Sequence, residues 1–330
     1  MTPDFDLKAH NTFGLPAHAR FGTEITHAAE LAPLLADAKS KGLPLRILGG
    51  GSNVVLRPQF DGIIGLMGIE GRDIIGRQGD HNLVQFGAGE NWHSIVEWTV
   101  AQGLPGLENL AAIPGTIGAA PIQNIGAYGV ELVDRFDSLL AFDTEDRSIR
   151  RFTRDECAFS YRQSFFKRKP GRFIVTSVTL ALPVDWQPNL NYPGLSHIPA
   201  DADAATILHG VAEVRGRKLP DWRMTGNAGS FFHNPIVPVE VAERLQAEFP
   251  EAPRYPAGEG LAKLSAAWLI ERAGFKGFRH GNAGVSPNHA LVLVNNGGAT
   301  QSEISELAAM IVEGVETRFG VRLVQEPELL

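Results

Sequence analysis

The stretch Gly103–Gly129, GLPGLENLAAIPGTIGAAPIQNIGAYG, constrains this chain more than any other segment. It places six glycines and three prolines among 27 residues and still carries many apolar side chains. Such a sequence is neither a regular element nor a solvated linker, and a buried loop of that length is usually functional. Two strand-to-glycine turns precede it: Leu45 to Leu48 runs into Gly49-Gly50-Gly51, and Leu83 to Phe86 runs into Gly87-Ala88-Gly89. Glycine at a strand end admits the close approach of a ligand or another backbone. Turns of this kind also expose N–H groups that hold phosphates without basic side chains. Taken one at a time they read as ordinary tight turns, but the set, with the long loop, favours a large cofactor.

The rest of the chain reads as an ordinary globular protein. At 330 residues it should divide into two or three lobes, and 44% hydrophobic with 20% charged residues argues against disorder. Periodicity predicts helices over 28–39, 203–217, 238–247, 262–273 and 302–319, with strands over 45–48, 62–66, 83–86, 173–182 and 290–294. Asn91 caps a further helix, and 138–142 and 148–152 form a hairpin. The alternation of Val321 to Val324 reads as a strand carrying the chain end back. The pattern changes after the proline- and asparagine-rich segment 183–199, so the main boundary falls near residue 200. There is no internal repeat.

Several functions lose their support. A formal charge of −7 offers no basic surface for nucleic acid. Neither glycine turn completes a dinucleotide fingerprint, since Val54 and Trp92 stand where the third glycine belongs. There is no phosphate loop ending in Gly-Lys-Ser/Thr, no serine-hydrolase elbow, and no pair of histidines at helical spacing for zinc. The lone Cys157 excludes an internal disulfide and reads as a half-buried filler. No signal peptide and no membrane span are expected, which points to the cytoplasm.

Two constellations remain. Ser160-Tyr161-Arg162-Gln163-Ser164-Phe165-Phe166-Lys167 sets an arginine among aromatics, where a half-buried guanidinium requires an anion, a carbonyl or a structural ion pair. Gly226-Asn227-Ala228-Gly229-Ser230-Phe231-Phe232-His233-Asn234-Pro235 brings a hydroxyl in a glycine turn close to a flat ligand, or else is a turn ahead of a core.

Together these motifs resemble the UDP-N-acetylenolpyruvoylglucosamine reductases over nearly the whole chain. The match includes Asn11-Thr12-Phe13-Gly14, Leu48 to Asn53, Gly87 to Trp92, Ile113 to Gly118, Gln123 to Gly129, Tyr161-Arg162, Asn227 to Pro235 and Glu326-Pro327-Glu328. The resemblance implies an α+β protein: an FAD-binding fold of the vanillyl-alcohol-oxidase type in two subdomains, 1–67 and 68–200, then a substrate-binding α+β domain over 201–330. It implies non-covalent FAD, NADPH as co-substrate and a UDP-sugar substrate, with no metal, nucleic acid, membrane or obligate protein partner. Catalytic positions carried over are Arg162, Ser230 and Glu328. FAD contacts fall at Gly49, Gly50, Gly51, Ser52, Asn53, Gly115, Thr116, Ile117, Gly118 and Tyr128, and substrate contacts at Tyr192, Lys218 and Asn234. Tyr192, in Leu190-Asn191-Tyr192-Pro193-Gly194, resembles the loop tyrosine of the Gram-negative-like subgroup. His233 stands where the family often has lysine or arginine. An oxidase of the same fold and an inactive nucleotide-binding module are the rival readings. The matches at Arg162, Ser230 and Glu328 argue against both.

Overall fold

The computed structural model describes residues 1–330, whose contacts separate into two units. Met1–Phe5, Ala19–Gly51 and Gln59–Arg217 form the first; Asp6–His18, Ser52–Pro58 and Lys218–Leu330 form the second.

In the first unit the strands Thr2–Asp6, His18–Ile25, Gln59–Met67 and Leu45–Leu48 make one sheet in that order. The helix Leu31–Lys41 turns Leu31, Leu34 and Ala38 onto Ile25 and Ile63, the spacing of one helical face. A second sheet is antiparallel throughout, ordered Ser148–Thr153, Phe136–Asp143, Phe173–Pro183, His81–Gly87, Arg72–Gln78. The Asn91 side chain accepts from Ser94 N–H and starts the helix Trp92–Ala101. Trp92, Ile95 and Val96 then pack with Val84, Phe86, Val178 and Leu180. The glycine- and proline-rich stretch is built into this core, with Leu107, Leu110, Ala111 and Ile117 fully buried. Its carbonyl at Leu110 accepts from Trp92 Nε1 at 2.8 Å. The helix Ala204–Lys218 adds Ile207, Leu208, Val211 and Val214 to the same core. The contact boundary therefore lies one helix beyond the change in composition near residue 200, between Arg217 and Lys218.

The second unit holds an antiparallel sheet of Gly226–Ser230, Val292–Asn295, Ala283–Val285 and Arg279–His280. A smaller sheet contains Ile236–Pro238, Leu261–Leu264 and Arg254–Pro256. The helix expected over 262–273 is shorter: Leu261–Leu264 is a strand, and the helix Ala266–Arg272 begins only after Ser265, whose side chain accepts from Trp268 N–H. The helix Gln301–Phe319 opens with a reciprocal cap between Thr300 and Glu303 and buries Ile304, Leu307, Ala308, Ile311, Val315 and Phe319. The strand read at 321–324 lies instead at Glu328–Leu329, paired in parallel with Val54–Val55.

Candidate active site

The glycine turns of the first unit meet one another. A Cβ on Gly50 would lie 2.8 Å from Gly115 Cα, and one on Gly49 would lie 2.5 Å from Thr116 Oγ1. The Gly115–Gly118 loop is laced to the next turn as well, by Trp92 N–H to Gly115 O at 3.0 Å, Ile117 N–H to Glu90 O at 2.9 Å and Gly118 N–H to Ala88 O at 2.9 Å. The Ile117 and Gly118 amides thus hold the loops together. Glu90, nearly buried, accepts from Gly71 N–H and Arg72 Nε and anchors the turn from behind. Between these backbones Thr116 Oγ1 is buried with no hydrogen-bond partner, a costly state that a polar ligand relieves. Three loops with side chains removed, around a waiting hydroxyl, fit a dinucleotide.

Arg162 stands in the left-handed region, φ 54°, on a tight turn closed by Ser160 and Gln163. Its Nη2 donates to Gly126 O at 2.9 Å and its Nη1 to Asn124 O at 3.3 Å, while its guanidinium carbon lies 5.4 Å from the Tyr161 ring centroid. Asn124, fully buried with φ 47°, donates to Glu131 Oε2 and accepts from Val133 N–H, fixing the carbonyl that Arg162 uses. Tyr128, φ 50°, meets the Tyr192 ring edge-on at 5.1 Å between centroids. Burial pushes the Tyr128 phenol up, with the Arg215 charge opposing and Tyr192 assisting. Burial lowers the Arg215 guanidinium, Tyr128 partly restores it, and Arg162 repels it. Burial and the Arg162 charge thus both disfavour the charged form of Arg215, a balance that a bound anion would offset. Arg215 was absent from the sequence reading. Its signal is position: it follows Leu208 and Val211 on the buried face of its helix, where an arginine requires a partner.

In the second unit Ser230 ends the strand Gly226–Ser230 at an irregularity of register. The buried Asn227 makes that irregularity, donating to Pro220 O and Thr225 O and accepting from Gly229 N–H, with Gly229 at φ 67°. Ser230 is half-buried, and the following Phe231 and Phe232 anchor the turn in the core. Asn234 Oδ1 accepts from Ala266 N–H, so part of its amide caps a helix. Lys218 is exposed at a helix end. Glu328 is exposed but held: its N–H donates to Asn53 O at 3.0 Å, and Asn53 Nδ2 donates to Glu326 O at 3.2 Å. Glu326 is the more enclosed carboxylate, 3.5 Å from His233 Nδ1.

The first unit's glycine-loop fold around residues 23–151 matches the family model described as FAD binding domain. The chain is an FAD-dependent oxidoreductase with an α+β FAD-binding domain and a further α+β domain. Residues 221–330 match the model for the UDP-N-acetylenolpyruvoylglucosamine reductase C-terminal domain. Reductases of that name from Azoarcus sp. (strain BH72) and Burkholderia lata are 49% and 47% identical, covering 99% and 100% of this chain and 97% of each relative. The solved structure of UDP-N-acetylenolpyruvylglucosamine reductase from Thermus caldophilus superposes with a TM-score of 0.68 at 25% identity, over 98% of this chain and 96% of that one. The chain belongs to the UDP-N-acetylenolpyruvoylglucosamine reductase family.

Proposed function

We propose that Arg162, Ser230 and Glu328 carry the chemistry of the family's reaction in this chain. That reaction reduces UDP-N-acetylenolpyruvoylglucosamine to UDP-N-acetylmuramate, a step of peptidoglycan precursor synthesis, with NADPH as the electron source. When bound, FAD supplies the hydride that the methylene carbon of the enolpyruvyl group receives. Arg162 binds the substrate carboxylate and the negative charge that develops beside it, a task suited to a permanently charged fork. Ser230 delivers a proton to the adjacent carbon; a hydroxyl is acid enough only because the acceptor is strongly basic. Glu328 supports charge and proton balance near the same carbon.

Tyr192, Lys218 and Asn234 hold the nucleotide and diphosphate in this reading, and the carbonyl-held Arg162 with Arg215 close by supplies local positive charge in a chain of net charge −7. Gly49, Gly50, Gly51, Ser52, Asn53, Gly115, Thr116, Ile117, Gly118 and Tyr128 surround the FAD. The same reading divides the chain functionally at 67 and 200 and puts the enzyme in the cytoplasm; no helix is long and apolar enough to cross a membrane.

The packing of Gly50 on Gly115 around a buried, unpartnered Thr116 hydroxyl carries the cofactor side of this proposal. The test of the chemistry is anaerobic. NADPH should bleach the bound flavin, and the enolpyruvyl sugar nucleotide should restore its colour. Ser230→Ala should slow the second phase by about 10²-fold or more and leave the first unchanged. Equal slowing of both phases makes Ser230 a flavin-positioning residue instead.

A further inference from the structure

The strand Gly226–Ser230 runs out of step with its partner Val292–Asn295. Asn227 stands opposite Val294 and Ser230 opposite Val292, so a step of three residues on one strand spans a step of two on the other, and Ala228 and Gly229 have no partner in the register. This is a β-bulge, and its extra residue re-aims the side chain that follows it. Residues opposite one another in a ladder share a face, and successive residues alternate between faces. In a regular ladder Gly229 would stand opposite Val292, and Ser230 would turn to the other face with Leu293, into the apolar core of the second unit. The bulge puts Ser230 on the face of Asn227, Val292 and Val294 instead.

Asn227 is buried and spends its whole amide on this arrangement. Its Oδ1 accepts from Gly229 N–H at 2.9 Å, the bond by which an asparagine closes a turn on its own backbone two residues on. Its Nδ2 donates to Pro220 O at 3.0 Å and to Thr225 O at 2.8 Å. Gly229 sits at φ 67°, a left-handed setting that glycine adopts without steric cost. The Asn227 backbone is fixed as well. Its N–H donates to Thr12 O at 3.0 Å, within the Asn11-Thr12-Phe13-Gly14 motif, and Phe13 O accepts from Asn295 Nδ2 at 2.9 Å. A Cβ on Gly226 would lie 2.1 Å from Phe13 O. That motif thus clamps the start of the strand, and the Asn227 side chain sets the turn that follows.

We propose that Asn227 is a positioning residue for proton delivery by Ser230: its bond to Gly229 keeps the bulge, and the bulge keeps the Ser230 hydroxyl out of the core. This rests on the reading of Ser230 as the proton donor. A reacting group displaced by about 1 Å can lose about 10²-fold in rate. Loss of the Gly229 bond should therefore slow the half-reaction that uses Ser230 and spare the one that does not.

The test follows both half-reactions by anaerobic stopped flow in FAD-bound Asn227→Ala, Asn227→Ser, Asn227→Asp, Ser230→Ala and the Asn227→Ala/Ser230→Ala double variant. Aspartate keeps the acceptor for Gly229 N–H, serine keeps a weaker one, and alanine keeps none. Aspartate also buries a carboxylate against two carbonyls, so it should have the lowest Tm of the three. Flavin reoxidation by the enolpyruvyl sugar nucleotide should slow about ten- to a hundredfold in Asn227→Ala, less in Asn227→Ser and least in Asn227→Asp, an order that runs against Tm at the aspartate. Bleaching by NADPH should stay within about twofold of wild type in all of them. In the Ser230→Ala background Asn227→Ala should add less than about twofold, because the group it aims is gone. Reoxidation rates that simply follow Tm, or an undiminished Asn227→Ala effect in the Ser230→Ala background, make Asn227 a purely structural residue and overturn the proposal. If Ser230→Ala alone reoxidises at the wild-type rate, the proton-donor reading fails and the proposal with it. A slow Ser230→Ala beside a normal Asn227→Ala sinks the proposal alone. Should Asn227→Ala not fold, the order of Asn227→Asp and Asn227→Ser against their Tm values decides.

Discussion

Gly50→Ala tests the cofactor cradle most sharply. Its new Cβ would stand 2.8 Å from Gly115 Cα and 3.3 Å from Gly115 C, both backbone atoms with no rotamer to change. Carbon atoms at rest are about 3.5 Å apart or more, so the two loops must part by roughly 0.7 Å. Overpacking of this size costs about 1–3 kcal/mol. The apo chain relieves it by letting the loops separate, and FAD binding then has to drive them back together. The cost should appear as a weaker FAD Kd, by about five- to a hundredfold, more than as a lowered Tm of the apo protein. Flavin retention through gel filtration and titration of apo protein with FAD by fluorescence quenching both read it. Gly42→Ala is the control. Gly42 closes a helix at φ 64° with nothing within 4 Å of a new Cβ, so the substitution should cost about 1 kcal/mol of stability through backbone strain and leave FAD affinity alone. If Gly50→Ala keeps wild-type FAD affinity, or if both variants lose it equally, the loop contact is not what shapes the cradle.

Glu328→Gln should fold, retain FAD and be reduced by NADPH, yet lose at least tenfold in flavin reoxidation by substrate; normal reoxidation in a stopped-flow trace removes Glu328 from the site. Glu326→Gln, whose carboxylate faces His233, should show as a drop in Tm with no change confined to one half-reaction. Cys157 is fully buried, and burial pushes its thiol up to about 12, the Glu156 charge adding to the shift. It should ignore a thiol reagent at neutral pH and react stoichiometrically only in denaturant; native labelling at a measurable rate refutes this. Burial raises the Asp143 carboxyl, but the Arg172 hydrogen bond and the N–H groups of Glu145 and Asp146 outweigh it and hold it below the usual range. A depressed carboxyl stabilises the fold above its unfolded pKa of about 3.9 and loses that contribution as pH falls through the lower folded value. Asp143→Asn should therefore be less stable than wild type near neutrality, with the gap closing in acid. A gap that is the same at both ends of a pH series of Tm values contradicts that assignment.

The glycine loops were legible because glycine where a backbone must approach another leaves a trace in the sequence whatever the fold around it. The strand Gly226–Ser230 was not. It has no β-branched or aromatic residue, and it is a strand because Val292–Asn295 pairs with it and Asn227 shapes its bulge. The run from Leu261 to Leu264 was too short for periodicity to separate strand from helix, although Ser265 did mark where the helix begins. The outer strands Thr2–Asp6 and Arg72–Gln78 are largely exposed and carried no clear alternation. Arg215 was hidden inside a helix that periodicity had already explained. Glu108 and Asn109 leave no local signal, because the partners of their side chains, Tyr128, Trp186 and Asn189, lie about twenty and eighty residues away in sequence.

The pairing of Glu328–Leu329 with Val54–Val55 has a consequence for how the molecule is made. The first unit draws on no residue beyond Arg217, so all of its segments are made before the bulk of the second unit. The second unit draws Phe13 and Leu15 into its core beside Phe231 and Leu323, and its closing strand bonds Asn53 through Glu328. Those early apolar side chains stay uncovered until their core partners, which run from Ala228 to Leu323, have been synthesised. Contacts of such long sequence separation form slowly and expose sticky surface meanwhile. A nascent chain stalled before residue 320 should therefore hold a protease-resistant first unit and a separate, chaperone-binding N-terminal segment.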